Sequence, residues 1–296
     1  YNGRQGAKTV KKLKIVLVRL LITVPINIFF YYAKVMGGLL PEQLGELVFY
    51  RNLTKRFSPT IQNNGLWFDA RDKASGSRGL RLFEKEPDTL AWIDAHIGEA
   101  DILFDVGANV GVFSVYAARN YKARVYSFEP EAANYEILNR NIKINNLDNL
   151  VYAYCLALHN EDHASILHLS SLEAGRSQHS FSRKTNVFHQ SVNYGFAQGA
   201  VGVRGDSLVD IYGLPFPNHI KIDVDGNEDF VIEGMKRLLT SKAIKSVAIE
   251  LNVNSSRHQL IPNHLRNYGF ERLGGDQYRN REYEKHGVVN HFFVKK

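Results

Sequence analysis

From residue 86 to the C-terminus, short apolar, β-branched runs alternate with stretches of helical periodicity. The runs are DILFDV (101–106), ARVYSF (123–128), LVYAYCLA (150–157), HIKIDV (219–224) and SVAIEL (246–251), and helices fit between several of them. Glu86-Pro87-Asp88-Thr89 opens the first helix, with proline at its first position, acids in its first turn, and Leu90, Ile93 and Ile97 on one face. Strands this apolar are buried on both faces, so the pattern predicts an α/β fold built on a mostly parallel, doubly wound sheet. After Gly269, FERLGG and VVNHFFV (288–294) read as a closing antiparallel pair. Between the third and fourth strands lies a polar stretch, 158–205, too long for a simple connection; it reads as a loop or hairpin insertion over the active face. Residues 41–82 lack a clean period and read as a connector with some short strands, ending near Ser77-Arg78-Gly79. The chain therefore divides into 1–40, 41–82 and a catalytic region at 83–296.

The first part has a pattern of its own. Lys8, Lys11, Lys12 and Lys14 lead into IVLVRLLITVPINIFFYYA (15–33), which has bilayer-spanning length but is interrupted by Arg19, Thr23, Pro25 and Asn27. At roughly 100° per residue, Lys8, Lys12, Arg19, Thr23, Asn27 and Lys34 share one arc of a helix and the apolar residues take the rest. A helix lying in a membrane surface fits this pattern, through residues 8–40. A helix that covers its own domain or a second copy in a homo-oligomer also fits, and a true span or export signal is the third reading, although no A-x-A-like cleavage site follows. Pro25 kinks any of them.

Charge sharpens the division. The net charge is +7, but residues 1–60 hold ten Lys and Arg against two Asp and Glu, which leaves 27 basic and 28 acidic residues in the remainder. A nearly neutral catalytic region lacks the phosphate-binding excess of a nucleic-acid enzyme, so no nucleic-acid partner is expected. The single cysteine, Cys155, excludes a disulfide framework and a thiolate zinc cluster and suits a reducing compartment. A cytoplasmic location, at most peripheral to the inner membrane surface, follows as an expectation.

The informative segment is FDVGANVGVFSVYAARN (104–120), where a buried strand ends at Asp105 and turns through Gly107, Asn109 and Gly111 into a helix. A second strand ends in Glu129 about twenty residues on, where a carboxylate can bind ribose hydroxyls. A dinucleotide loop needs GxGxxG for its pyrophosphate; here Asn109 and Val112 stand at the second and third glycine positions. Asp105 would repel phosphate but could accept hydrogen bonds from the amino group of an amino-acid tail. S-adenosyl-L-methionine (SAM) has that ammonium, a ribose and no phosphate.

DVGANVG, SFEPEAANYEILNRNIKIN (127–145) and NHIKIDVDGNEDFVIEG (218–234), in that order, resemble the FkbM family of SAM-dependent methyltransferases, as do EKEPDTLAWID upstream and GDSLVD (205–210). The resemblance spans roughly 83–275. It implies a Rossmann-like class I methyltransferase sheet with its final strand antiparallel, and O-methylation of a natural product or surface sugar. By the same resemblance Asp105, Gly107 and Gly111 shape the methionine side of the cofactor site, Glu129 holds the ribose, and Glu86 and Thr89 approach the cofactor's tail.

HIKIDV ends in DVDGNE at the sheet edge where open α/β sheets place ligands. Asp223 is therefore the first choice for the base facing a hydroxyl acceptor, with Asp225 and Glu228 as neighbours that tune it. Three carboxylates this close suit a divalent cation as well, and Asp225 or Asn227 suits a helix cap. Lys221 points into the site or snorkels out, and Glu250 ends the fifth strand as a second acceptor-side candidate. The histidines show no HxH or HExxH spacing, so no metal site is assigned; His189 is the one weighed as an alternative base.

Overall fold

The computed structural model describes residues 59–185, 190–280 and 287–296. The basic helix at 8–40, the first part of the connector and His189 lie outside the described residues. The described part of the connector is a built element of the fold: a hairpin, β1 (Thr60–Asn63) and β2 (Leu66–Asp69), then helices α1 (Lys73–Leu80) and α2 (Leu82–Lys85). Asn64 and Gly65 both have positive φ, the two-residue turn whose twist matches a hairpin. That Asn-Gly pair was the signal available in the sequence. The helix at 73–80 replaces the expected end of a loop near Ser77–Gly79.

Leu66 and Phe68 of the hairpin are buried, and β2 is tied down by two asparagines. Asn141 accepts the Asp69 N–H at 2.7 Å and donates to the Val110 carbonyl at 2.7 Å; Asn145 accepts the Trp67 N–H at 2.9 Å and donates to its carbonyl at 2.7 Å. Their amides stand in for a neighbouring strand.

After α3 (Pro87–His96) come β3 (Ile102–Val106), α4 (Val112–Tyr121), β4 (Arg124–Phe128), α5 (Ala132–Ile144) and β5 (Val151–Tyr154). A second, four-stranded sheet follows, made of β6 (Ala157–Leu158), β7 (His163–Leu169), β8 (Ser180–Phe181) and β9 (Phe196–Val203), in the order β6-β9-β7-β8. The insertion is thus a small sheet rather than a loop or single hairpin, and the run expected at 150–157 breaks at Cys155 because Ala157 already pairs with Gly202. The chain continues through α6 (Gly205–Asp210), β10 (His219–Ile222), α7 (Glu228–Gly234), α8 (Lys236–Thr240), β11 (Ser246–Asn252), α9 (Ile261–Asn267), β12 (Phe270–Arg272) and β13 (Val288–Lys295).

The main sheet has the order β12-β13-β11-β10-β3-β4-β5. β11, β10, β3, β4 and β5 are parallel to one another, and β13 alone runs against its neighbours. One face carries Trp92, Val115, Leu138 and Phe68 from α3, α4, α5 and the hairpin; the other carries Leu208, Val231, Leu238 and Leu265 from α6 to α9. This is the doubly wound class I arrangement expected from the sequence. Between β3 and β10 the connections leave in opposite directions, which opens a crevice at their C-terminal ends.

Asn141→Ala leaves two buried backbone groups without partners and is expected to cost about 3 kcal/mol in urea unfolding. A loss below about 1 kcal/mol would show that the hairpin is not held by this amide.

Candidate active site

A cavity of about 550 Å³ fills that crevice. Gly107, Asn109 and Glu129 line one side of it, Asp223, Asp225 and Glu250 another, and Glu86 a third. Of the expected site residues, Asp105, Gly111, Thr89 and Lys221 stand behind this wall rather than on it.

Gly107 turns the chain at φ 75°, and a Cβ there would lie 1.8 Å from the Asp223 carbonyl oxygen. Only glycine lets the β3 turn meet the end of β10 this closely. Asn109, at φ 52°, donates its backbone N–H to Glu129 at 2.8 Å. The other Glu129 oxygen accepts the Glu131 N–H at 2.9 Å. These bonds favour the ionised carboxylate, but burial outweighs them and pushes Glu129 up to about 7. Gly111 precedes α4 at φ 78° and packs against Leu138. Thr89 is buried, its hydroxyl accepting from Asn290 at 3.2 Å.

Asp105 and Lys221 differ most from expectation. Asp105 is fully buried; Ser114 donates to one of its oxygens at 2.5 Å, and the other faces the Lys221 ammonium at 3.4 Å. Lys221 is buried as well, reaches Asp223 at 3.5 Å, and sits 5.2 Å from the centre of the Phe113 ring. It neither snorkels nor points into open space. Although burial opposes the charge, the surrounding carboxylates raise its pKa above the ordinary lysine value, so it remains an ammonium. β3 and β10 pair with Lys221 opposite Asp105, which makes the contact a matter of register. No strand sequence alone displays it.

The DVDGNE loop is similarly determined. Glu228 accepts the backbone N–H groups of Val224 and Gly226 at 3.2 and 3.3 Å and lies 3.3 Å from His258. It holds the loop from within, while Asn227 spends its side-chain amide on the Phe181 carbonyl at 3.3 Å rather than on capping α7. Burial raises Glu228 to about 8 and, with Asp223 nearby, Asp225 to about 6. Glu250 is raised well above its usual range by burial, with Asp223 and Glu86 adding repulsion. Among the described residues no group of three or more His, Cys, Asp and Glu side chains is arranged to hold a metal ion.

The insertion at 158–205, expected over the active face, supplies the cover of this cavity. Residues 173–181 of the insertion cross it as a strap: the Gly175 N–H donates to Asn134 at 2.7 Å, the Arg176 carbonyl accepts from Asn109 at 2.7 Å, and the Gln178 N–H donates to Asp225 at 2.6 Å. The strap thereby joins the glycine turn of β3 to the loop after β10. Gln178 and Asp225, both non-glycine residues at positive φ, meet in its last bond.

A family model described as the methyltransferase FkbM domain matches residues 105–272. The hexuronic acid methyltransferase AglP of Haloferax volcanii is 27% identical over 175 residues, covering 59% of this chain and 66% of that protein. Methyltransferase 1 of Beauveria bassiana is 28% identical over 144 residues, covering 45% of this chain and 57% of that protein. In the crystal structure of methyltransferase FkbM from Methylobacillus flagellatus, the similarity covers 66% of this chain and 43% of the other at 14% identity, with a TM-score of 0.43. The chain thus spans just under two thirds of AglP's length and smaller shares of the other two.

Glu228 binds its proton more tightly in the folded protein than in the unfolded chain, so its contribution is full below about pH 4.5 and lost as pH rises through about 8. Stability is expected to fall by about 1 kcal/mol between pH 7 and 9 from this group, and Glu228→Gln to remove that fall in denaturant titrations at the two pH values. An unchanged slope in the variant would contradict the assignment.

Proposed function

Because this chain belongs to the FkbM methyltransferase family, we propose that it is a SAM-dependent O-methyltransferase whose acceptor is a hydroxyl on a sugar or small natural product. The observation that carries this reading is a single cavity with a glycine turn and the Glu129 carboxylate on one side and the Asp223 and Glu250 carboxylates on the other. The donor set fits SAM and not a dinucleotide: Asn109 and Val112 stand where pyrophosphate needs glycine, and the wall is rich in carboxylates, which suits a cationic cofactor. The relative named for hexuronic acid supports a sugar as acceptor.

When bound, SAM supplies a sulfonium methyl group for in-line displacement. The protein's work is then to position, to exclude water and to manage one proton. Glu129 would accept hydrogen bonds from the ribose hydroxyls, with Gly107 and Asn109 beside it on the same wall. Asp105, occupied by Ser114 and Lys221, gives up the role first assigned to it; Glu86, which does line the cavity, takes the cofactor's ammonium. Asp223 accepts the acceptor's hydroxyl proton, and Lys221, fixed by Asp105, orients it. Glu250, whose carboxyl is raised well above its usual range by burial and by the charges of Asp223 and Glu86, faces the acceptor from the end of β11.

Binding should follow the titration of Glu129. SAM affinity is expected to weaken as pH drops below about 7, approaching about tenfold per unit, while Glu129→Gln binds weakly at every pH. Calorimetric titration with SAM and NAD tests this, and a protein that bound NAD alone would end the reading. Asp223→Asn is expected to lower kcat by about 10²–10⁴ with an accepted sugar while SAM affinity stays within about threefold. Full turnover in that variant would remove Asp223 from the proton transfer.

A further inference from the structure

The cavity wall formed by α1 and α2 has the opposite charge to the rest: Arg78, Arg81 and Lys85 line it at helical spacing. Two of these cations have acidic partners, Arg81 with Glu84 at 3.9 Å and Lys85 with Glu86 at 3.2 Å. Arg78 is different. Its Nε donates to the Gly175 carbonyl of the strap at 2.6 Å, and its terminal nitrogens make no hydrogen bond or ion pair among the described residues. It is half-buried and held from one side.

His179 lines the same cavity and is about nine-tenths buried. Its Nδ1 accepts the Ser170 N–H at 3.2 Å, which puts the ring proton on Nε2. That Nε2–H makes no well-formed hydrogen bond among the described residues, although the Arg176 backbone interacts with the ring. Burial, with the charge of Arg78 nearby, lowers this imidazole to about 4, so it is neutral at working pH and acts as a fixed donor, not a base. Two donor groups, one a planar guanidinium, thus share a cavity whose other polar groups are mostly acceptors. Gln178, next to His179 in the strap, donates its N–H to Asp225 at 2.6 Å, so His179 stands at the β10 end of the cavity, and Arg78 holds the same strap at Gly175.

We propose that Arg78 and His179 form a docking point for a carboxylate on the acceptor, so that the hydroxyl compound methylated here is an acidic sugar of the uronate class. The proposal rests on the methyltransferase reading of the cavity. A carboxylate takes the guanidinium edge through two N–H donors and the imidazole through a third, and it leaves the sugar's hydroxyls facing Asp223 and Glu250. The five carboxylates on the wall repel a free anion, which makes this pair the place where an acidic acceptor can be accommodated.

The full chain loaded with S-adenosylhomocysteine is titrated calorimetrically with D-glucuronate, uncharged D-glucuronamide and D-glucose. Glucuronate is expected to bind at least about tenfold more tightly than the other two. Arg78→Met should erase that preference and Arg78→Lys should keep part of it, with S-adenosylhomocysteine affinity unchanged in both as the sign that they fold. His179→Phe should weaken glucuronate alone. Equal binding of the three compounds, or no binding of glucuronate, overturns the proposal. So does a loss of S-adenosylhomocysteine affinity in a folded Arg78→Met, because the pair would then hold the cofactor's own carboxylate. Failure of the parent protein to bind S-adenosylhomocysteine at all would instead overturn the methyltransferase reading beneath it.

Discussion

A buried ammonium group organises this site. Lys221 sits between Asp105 and Asp223 at 3.4 and 3.5 Å, in a place too dry to tolerate a charge without them. The two carboxylates belong to neighbouring parallel strands, so the ion triad fixes the register of β3 against β10 at the end where the crevice opens. The Gly107 turn and the Asp223 carbonyl then meet at a distance no side chain would allow. Without Asp105 the buried Lys221 ammonium would keep one carboxylate partner and lose the other. The positions of the cavity residues on both sides of the crevice follow from this contact.

Around the triad the protein collects acids whose carboxyl groups are held above their ordinary range. Glu129, Asp225 and Glu228 are raised to about 7, 6 and 8, chiefly by burial. Such a wall is poorly matched to phosphate and well matched to a cationic ligand with hydroxyl groups. The buried histidines follow the same rule in reverse: His159, His179, His219 and His291 are all lowered to about 4 by burial. They take their places as neutral donors and acceptors and add no charge to the interior.

What was legible in the sequence was whatever burial writes into composition. β3, β4, β10, β11 and β13 fall where the apolar runs lie because both of their faces are covered, and the glycine turn announces itself through its flanking strand and helix. The insertion was not legible as a sheet. In β7 and β9 the exposed face is mixed, with Ile166 and Val201 outward, and β6 and β8 are two residues long, too short for any period to register. The pairing of Asp105 with Lys221 could not be read from the sequence because the two lie 116 positions apart and are set opposite only by strand pairing. Arg78 and His179 carried no motif; a helix wall and a strap bring them together. The hairpin at 60–69 is announced only by Asn64-Gly65, because β1 is mostly polar and exposed and carries no apolar alternation to mark it as a strand.

The short pairing of Ala157–Leu158 with Gly202–Val203 closes the base of the insertion. The chain leaves the main fold and returns to it at the same place, and α6 begins two residues later. Whatever is threaded between these two points adds to the closure entropy only logarithmically, about 0.6 kcal/mol for each doubling of its length. The closure itself therefore sets little limit on the length of the insertion; what ties the roof to the main fold is the set of strap bonds to Asn109, Asn134 and Asp225. At this base the insertion can lengthen or shorten at small entropic cost, provided those three anchors stay in place.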